Sequence, residues 1–111
     1  MASNPLATIT VDGDPGVICI NVRGEIDASN AADFAKLVER FVASERLVIN
    51  CERLTFIDSS GLEVLLNVAD ARRPIAPCVL RQPSDELRRL LALTGVTERF
   101  ELAVDERLTP I

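Results

Sequence analysis

Asp58-Ser59-Ser60-Gly61 is the stretch whose residue types could do chemistry. It sets a carboxylate beside two hydroxyls and a residue with no side chain. Such hydroxyls could attack a substrate or be offered outward to another molecule. Attack needs a base. The chain contains no His, which excludes Ser–His and Cys–His nucleophilic mechanisms. The only bases near Ser59 are carboxylates, whose ordinary pKa is too low for the task. No glycine-rich phosphate loop occurs either, so an enzyme is not expected. Taken alone, the string is a helix cap with turn chemistry. The Asp58 carboxylate suits the N-cap, accepting from the amide of Ser60 or Gly61 at the positive end of the helix. Ser59 is then the first helical residue, with its hydroxyl free to point outward. Gly61 leaves room for another chain to approach the backbone.

The elements that must position this turn follow from the hydropathy pattern. Leu47-Val48-Ile49 is a short apolar run that reads as a buried strand, taken as residues 47–51. Leu62, Leu65, Leu66 and Ala69 fall at helical spacing and predict a helix to about Ala71, stopped by Arg72-Arg73-Pro74. Upstream, residues 7–11 alternate as a strand and Asp12-Gly13-Asp14-Pro15-Gly16 is a dense turn cluster. Residues 17–22 form a second strand, apolar at nearly every position, as in a strand covered on both faces. These two strands make an antiparallel hairpin. Gly24 ends the second strand, and Asp27 or Ser29 caps a helix whose apolar stripe is Phe34, Leu37, Val38, Phe41 and Val42. A helix between two strands is a βαβ crossover, so residues 47–51 should run parallel to residues 17–22. Residues 78–81 form a fourth strand. Ser84 caps a third helix with Leu87, Leu90, Leu91 and Leu93 or Thr94 on its apolar side, Gly95 ends it, and a short strand follows near Phe100.

The sum is an α/β fold in one domain covering residues 1–111. Its N-terminal antiparallel hairpin continues into a mostly parallel sheet of roughly four to five strands with helices packed on it. Residues 1–6 read as a loose tail, and the pattern leaves the C-terminal tail, residues 104–111, unassigned. Loops at the carboxyl ends of parallel strands gather functional groups. Two such loops, Gly24-Glu25-Ile26-Asp27 and Phe56-Ile57-Asp58-Ser59-Ser60, would lie side by side, so that Asp27 and Asp58 flank one hydroxyl.

Composition narrows the function classes. The net charge of −5 argues against nucleic acid and against an anionic membrane surface. Arg72-Arg73 and Arg88-Arg89 read as solvated helix faces. No apolar run approaches the roughly 20 residues of a membrane span, and the N-terminus lacks signal-peptide regions, so a cytoplasmic protein is expected. Cys19, Cys51 and Cys78 contain no C-x-x-C pair and read as buried structural thiols. No metal or cofactor is expected. The absence of a long heptad pattern points to a monomer.

Four pieces carry a family resemblance: Gly24-Glu25-Ile26-Asp27; the strand ending in Asn50; Leu54-Thr55-Phe56-Ile57-Asp58-Ser59-Ser60-Gly61-Leu62; and Leu91-Ala92-Leu93-Thr94-Gly95-Val96. In this order the chain resembles the STAS domain, and within it the bacterial anti-sigma factor antagonists, from about Ala7 to Leu102. The resemblance implies a protein switch. The unmodified antagonist binds an anti-sigma factor that is a serine kinase of the GHKL ATPase type, and sigma factor is released. The kinase then phosphorylates the serine directly after the aspartate, here Ser59, and a PP2C-type phosphatase reverses the change. Asp58 stands at the acidic position beside the acceptor and Asp27 at its counterpart in the neighbouring loop. Gly24, Glu25, Ile26, Ser60, Gly61 and Leu62 fall in the partner-facing region. The sequence departs from the family after Phe100, where the closing helix is short or missing, and in residues 72–77, where two prolines replace the usual glycine-containing turn. An alternative within the same fold is a STAS subunit that docks on a transporter or signalling scaffold and is never phosphorylated.

Overall fold

The structure is a computed structural model that describes residues 9–12 and 16–104. Its elements run β1 (Ile9–Asp12), β2 (Val17–Ile26), α1 (Ala31–Glu39), β3 (Arg46–Ile57), α2 (Ser59–Ala71), β4 (Cys78–Arg81), α3 (Asp85–Leu93), a 3-10 turn (Thr97–Arg99) and β5 (Phe100–Ala103). The sheet order is β1-β2-β3-β4-β5. β2 to β5 are mutually parallel, and β1 lies antiparallel along β2 with Ile9 opposite Val22. Residues 7, 8 and 13–15 of the expected first strand and its turn lie outside the described residues, as does the tail from residue 105.

The parallel order follows from the connections. Each of α1, α2 and α3 stands between two strands, and a crossover of that length returns the chain in the same direction. All three helices contribute to the same core. Phe34 and Val38 of α1, Leu62, Leu65 and Val68 of α2, and Leu87 and Leu91 of α3 join Ile20, Val22, Ile49 and Leu80 from the sheet.

This arrangement corrects the reading of β2 as covered on both faces. Ile20, Val22 and Ile26 are buried, whereas Val17 is exposed and Cys19 and Asn21 only half-buried. The helices pack densely on one face, so burial alternates.

Two further corrections concern strand length. β2 does not end at Gly24 but continues to Ile26, and β3 runs to Ile57 rather than stopping at Cys51. The register steps between Asn21 and Arg23 and again between Gly24 and Glu25. At each step β3 carries an extra residue, so its buried positions run Leu47, Ile49, Cys51, then Leu54, with Ile57 packed against the core. A bulge inverts the side-chain alternation beyond it. Gly24 sits at this irregularity with φ +100, a conformation that costs other residues.

α3 ends as the sequence suggests. Gly95, at φ +72, donates to the carbonyl of Ala92, and the amide of Val96 donates to that of Leu91. This is the Schellman closure.

Arg72 is not on a solvated face. It caps the C-terminus of α2, is fully buried, and donates to four carbonyls: Val42 at 2.9 Å, Ser44 at 2.8 Å, Glu45 at 3.1 Å and Ala76 at 3.0 Å. One guanidinium thus holds the α1–β3 and α2–β4 connections together. Arg73, Arg88 and Arg89 are exposed.

Candidate functional site

The site begins where β3 meets α2, with Asp58 as the single connecting residue. Its extended backbone (φ −105, ψ −169) turns the chain, and its Oδ1 accepts from the amides of Ser60 at 2.8 Å and Gly61 at 3.2 Å. The Asp58 carbonyl accepts from the amide of Leu62 at 2.9 Å. The expected cap is therefore in place, with Ser59 as the first residue of α2. Ser59 is exposed and its hydroxyl makes no hydrogen bond with a described residue; Ser60 is half-buried.

The neighbouring strand supplies the second loop. Ile26 pairs with Ile57, and the amide of Asp58 donates to the carbonyl of Ile26 at 3.2 Å. Asp27 and Asp58 thus leave adjacent strands at the same level of the sheet. Neither Asp27 nor Ser29 caps α1: the N-cap is Asn30, whose side chain makes no cap bond. Asp27 Oδ1 instead accepts from the amide of Ser29 at 2.9 Å and from its hydroxyl at 2.6 Å. Asn30 is 1% exposed and works backwards along the chain. Its Oδ1 accepts from the amide of Asp27 at 2.9 Å, and its Nδ2 donates to the carbonyl of Glu25 at 2.9 Å. Asn30 is the residue that shapes this loop, and the sequence reading missed it. Residue type could not single it out, since Asp, Ser and Asn are similarly favoured as N-caps and its side chain braces the loop instead of capping.

The other candidate positions divide by burial. Glu25 is exposed and Gly24 half-buried, while Ile26, Gly61 and Leu62 are buried. The room left by Gly61 is taken up inside the domain. A Cβ there would meet Ile57 Cγ1 at 2.6 Å and Ile26 Cγ2 at 2.8 Å. Gly61 therefore lets α2 start close against the ends of β2 and β3, rather than admitting another chain.

A groove opens beside Ser59. Phe56 and Ser59 line it on the β3–α2 side, and Glu86, Arg89, Leu90 and Leu93 line it from α3. Phe56 is 43% and Leu93 77% exposed. Neither Leu93 nor Thr94, the two alternatives for the last apolar position of α3, is on its buried side: both are exposed. The contribution of α3 to the site was not foreseen. The available signal was a leucine set off the stripe of Leu87 and Leu91.

Away from the site, burial pushes the thiol of Cys51 up to about 12, with Cys78 adding to the effect. Burial also pushes Cys78 up to about 12, against a small opposing pull from Arg72. Cys51 and Cys78 are buried as expected, and Cys19 is only half-buried. Among the described residues no cluster of His, Cys, Asp or Glu could hold a metal, and no helix is long and apolar enough to cross a membrane.

The sequence model of the STAS domain matches residues 8–108. BtrV of Bordetella bronchiseptica, named provisionally as an anti-sigma factor antagonist, is 28% identical over 100 residues, covering 86% of this chain and 84% of BtrV. Among solved structures, an anti-sigma factor antagonist from Mycobacterium paratuberculosis superposes with a TM-score of 0.77 at 28% identity, over 86% of this chain and 84% of that one. SpoIIAA of Bacillus shares the fold in both its unphosphorylated and phosphorylated forms, with TM-scores of 0.73 and 0.70 at 22% and 21% identity. These cover 90% of this chain and 91% and 95% of the two SpoIIAA chains.

Proposed function

Because the chain belongs to the STAS domain family, we propose that it is an anti-sigma factor antagonist switched off by phosphorylation of Ser59. Its partner in this reading is an anti-sigma factor that is also a GHKL-type serine kinase. Binding of the unmodified chain releases sigma factor. The kinase then transfers the γ-phosphoryl group of ATP: the Ser59 Oγ–P bond forms, the bond to the leaving ADP breaks, and the hydroxyl proton passes to a base of the kinase. A PP2C-type phosphatase restores the hydroxyl.

The observation that carries this reading is the state of Ser59. Its hydroxyl is exposed and uncommitted, at a helix start held rigidly by Asp58 and tied to the Asp27 loop. A phosphoryl group adds about −1.5 to −2 charge at that point. With Asp27 and Asp58 at the same edge, a docked partner would trap three anionic groups in a partly desolvated interface. A loss of a few kcal/mol in affinity relative to the free chain is enough to exchange partners.

The test is phosphosite mapping by mass spectrometry on protein purified from its own cells with phosphatases inhibited. Phosphate on Ser59 supports the switch. Phosphate on Ser60 alone overturns the choice of acceptor. An unmodified peptide across growth and stress conditions favours the constitutive docking subunit.

A further inference from the structure

A phosphate on Ser59 needs counter-charge, and three of the amides at the helix start are already taken. The Asp58 carboxylate occupies the amides of Ser60 and Gly61, and its carbonyl occupies that of Leu62. An anion that would otherwise settle on these donors finds a carboxylate there. Side-chain charge remains. Among the described residues, Arg89 is the one cation lining the groove that Ser59 borders. It makes no ion pair or hydrogen bond with a described residue. Arg88 beside it is paired with Asp85, and Arg73 and Arg99 share Asp70.

Resting on the reading of Ser59 as the acceptor, we propose that Arg89 receives the phosphate. In the modified chain its guanidinium closes across the groove onto the phosphoserine oxygens and ties α3 to the start of α2. Arg is suited to this, because its planar fork binds phosphate oxygens in pairs. The bridge gives the phosphorylated state a partner of its own within the free chain. It also spans the groove that carries exposed Phe56 and Leu93. A protein docked on that groove would have to break the bridge, so modification would weaken binding by closing a surface as well as by repulsion.

The experiment uses the full chain with phosphoserine installed at position 59 during synthesis, so it does not depend on whether cells modify Ser59; phosphosite mapping answers that separately. The phosphate is titrated by phosphorus NMR in the parent, in Arg89→Gln, and in Arg88→Gln as a control. Arg89 is exposed, so the variants should fold, and thermal melts verify this. Asp58 and Glu86 line the same groove, with Asp27 at the end of the adjacent strand, and their negative charge raises the second ionisation of the phosphate, whereas Arg89 lowers it. The expected result is a titration midpoint about half a pH unit or more lower in the parent than in Arg89→Gln, with Arg88→Gln matching the parent. Equal midpoints in the parent and Arg89→Gln, or an equal shift in Arg88→Gln, overturn the proposal.

Discussion

The backbone amide of Asp58 donates to the carbonyl of Ile26 at 3.2 Å. This bond is a late rung between β2 and β3. It fixes the loop that begins at Asp27 against the turn that presents Ser59, so two stretches about thirty residues apart in sequence act as one rigid edge.

Gly61 keeps that edge tight. Gly61→Ala places a methyl group 2.6 Å from Ile57 Cγ1 and 2.8 Å from Ile26 Cγ2, both close to the branched stems of their side chains. Alanine gains up to about 1 kcal/mol of helix propensity, but overpacking typically costs about 1–3 kcal/mol. Urea denaturation should show a net loss of about 1 kcal/mol or more. A neutral or stabilising result would mean that α2 does not start this close to the strands.

Asp58 has two separable roles. Asp58→Asn keeps an acceptor for the amides of Ser60 and Gly61 and should change stability by less than about 0.5 kcal/mol, whereas Asp58→Ala should cost about 1 kcal/mol. Removing the charge while keeping the cap should make the phosphorylated chain bind its kinase more tightly than the phosphorylated parent does. Isothermal calorimetry on the two phosphorylated chains checks this; equal affinities would remove Asp58 from the electrostatic switch.

Arg72→Met should be among the most destabilising single changes. It removes a fully buried guanidinium and leaves the partly buried carbonyls of Val42, Ser44, Glu45 and Ala76 without their donor. Unsatisfied buried acceptors cost about 1–3 kcal/mol each, partly recovered by relaxation and water, so a net loss of about 3 kcal/mol or more is expected by denaturation. Hydrogen exchange should accelerate first in residues 42–46. A variant with parental stability would show that the guanidinium is not the clasp described.

The thiols give a pH test. With Cys51 and Cys78 pushed up to about 12 from an ordinary value of 9.0, both stay protonated in the folded chain while the unfolded chain loses those protons above about pH 9. The unfolded state then binds fewer protons, so the contribution of these groups to stability is intact below pH 9 and is lost as pH rises toward 12. Native labelling at pH 8 should modify Cys19 first and reach Cys51 and Cys78 only through unfolding. Rapid labelling of either remaining thiol in a Cys19→Ser chain would contradict their burial.

Much of this architecture was legible, because the signals were local. Asp58 before Leu62, Leu65 and Ala69 marks a capped amphipathic helix, and Ser84 with Gly95 brackets α3 through backbone chemistry alone. The misreadings share a different cause. The second half of β3 was invisible because two extra residues shift the buried set from Cys51 to Leu54 and on to Ile57, which breaks the period of two that identifies a strand. Arg72 reads as solvated in the sequence because three of its four partners are backbone carbonyls from a loop some thirty residues away, and carbonyls leave no trace in a sequence. Asn30 was passed over for Asp27 and Ser29, which are equally good caps by residue type; its burial beneath the loop chose between them. Glu86, Arg89 and Leu93 reach the Ser59 groove only through the packing of α3 beside the end of β3, a tertiary relationship that helical periodicity does not report.

In the proposed switch, a phosphoryl group on Ser59 ends the association with the kinase. The most direct measurement is fluorescence anisotropy of the labelled chain bound to its purified kinase, before and after ATP is added, for the parent and for Ser59→Ala and Ser59→Asp. ATP should release the parent, and Ser59→Ala should stay bound. Ser59→Asp should fold normally and bind at least about 10-fold more weakly, a difference of about 1.4 kcal/mol. Release of Ser59→Ala by ATP, or parental affinity in Ser59→Asp, would contradict the switch.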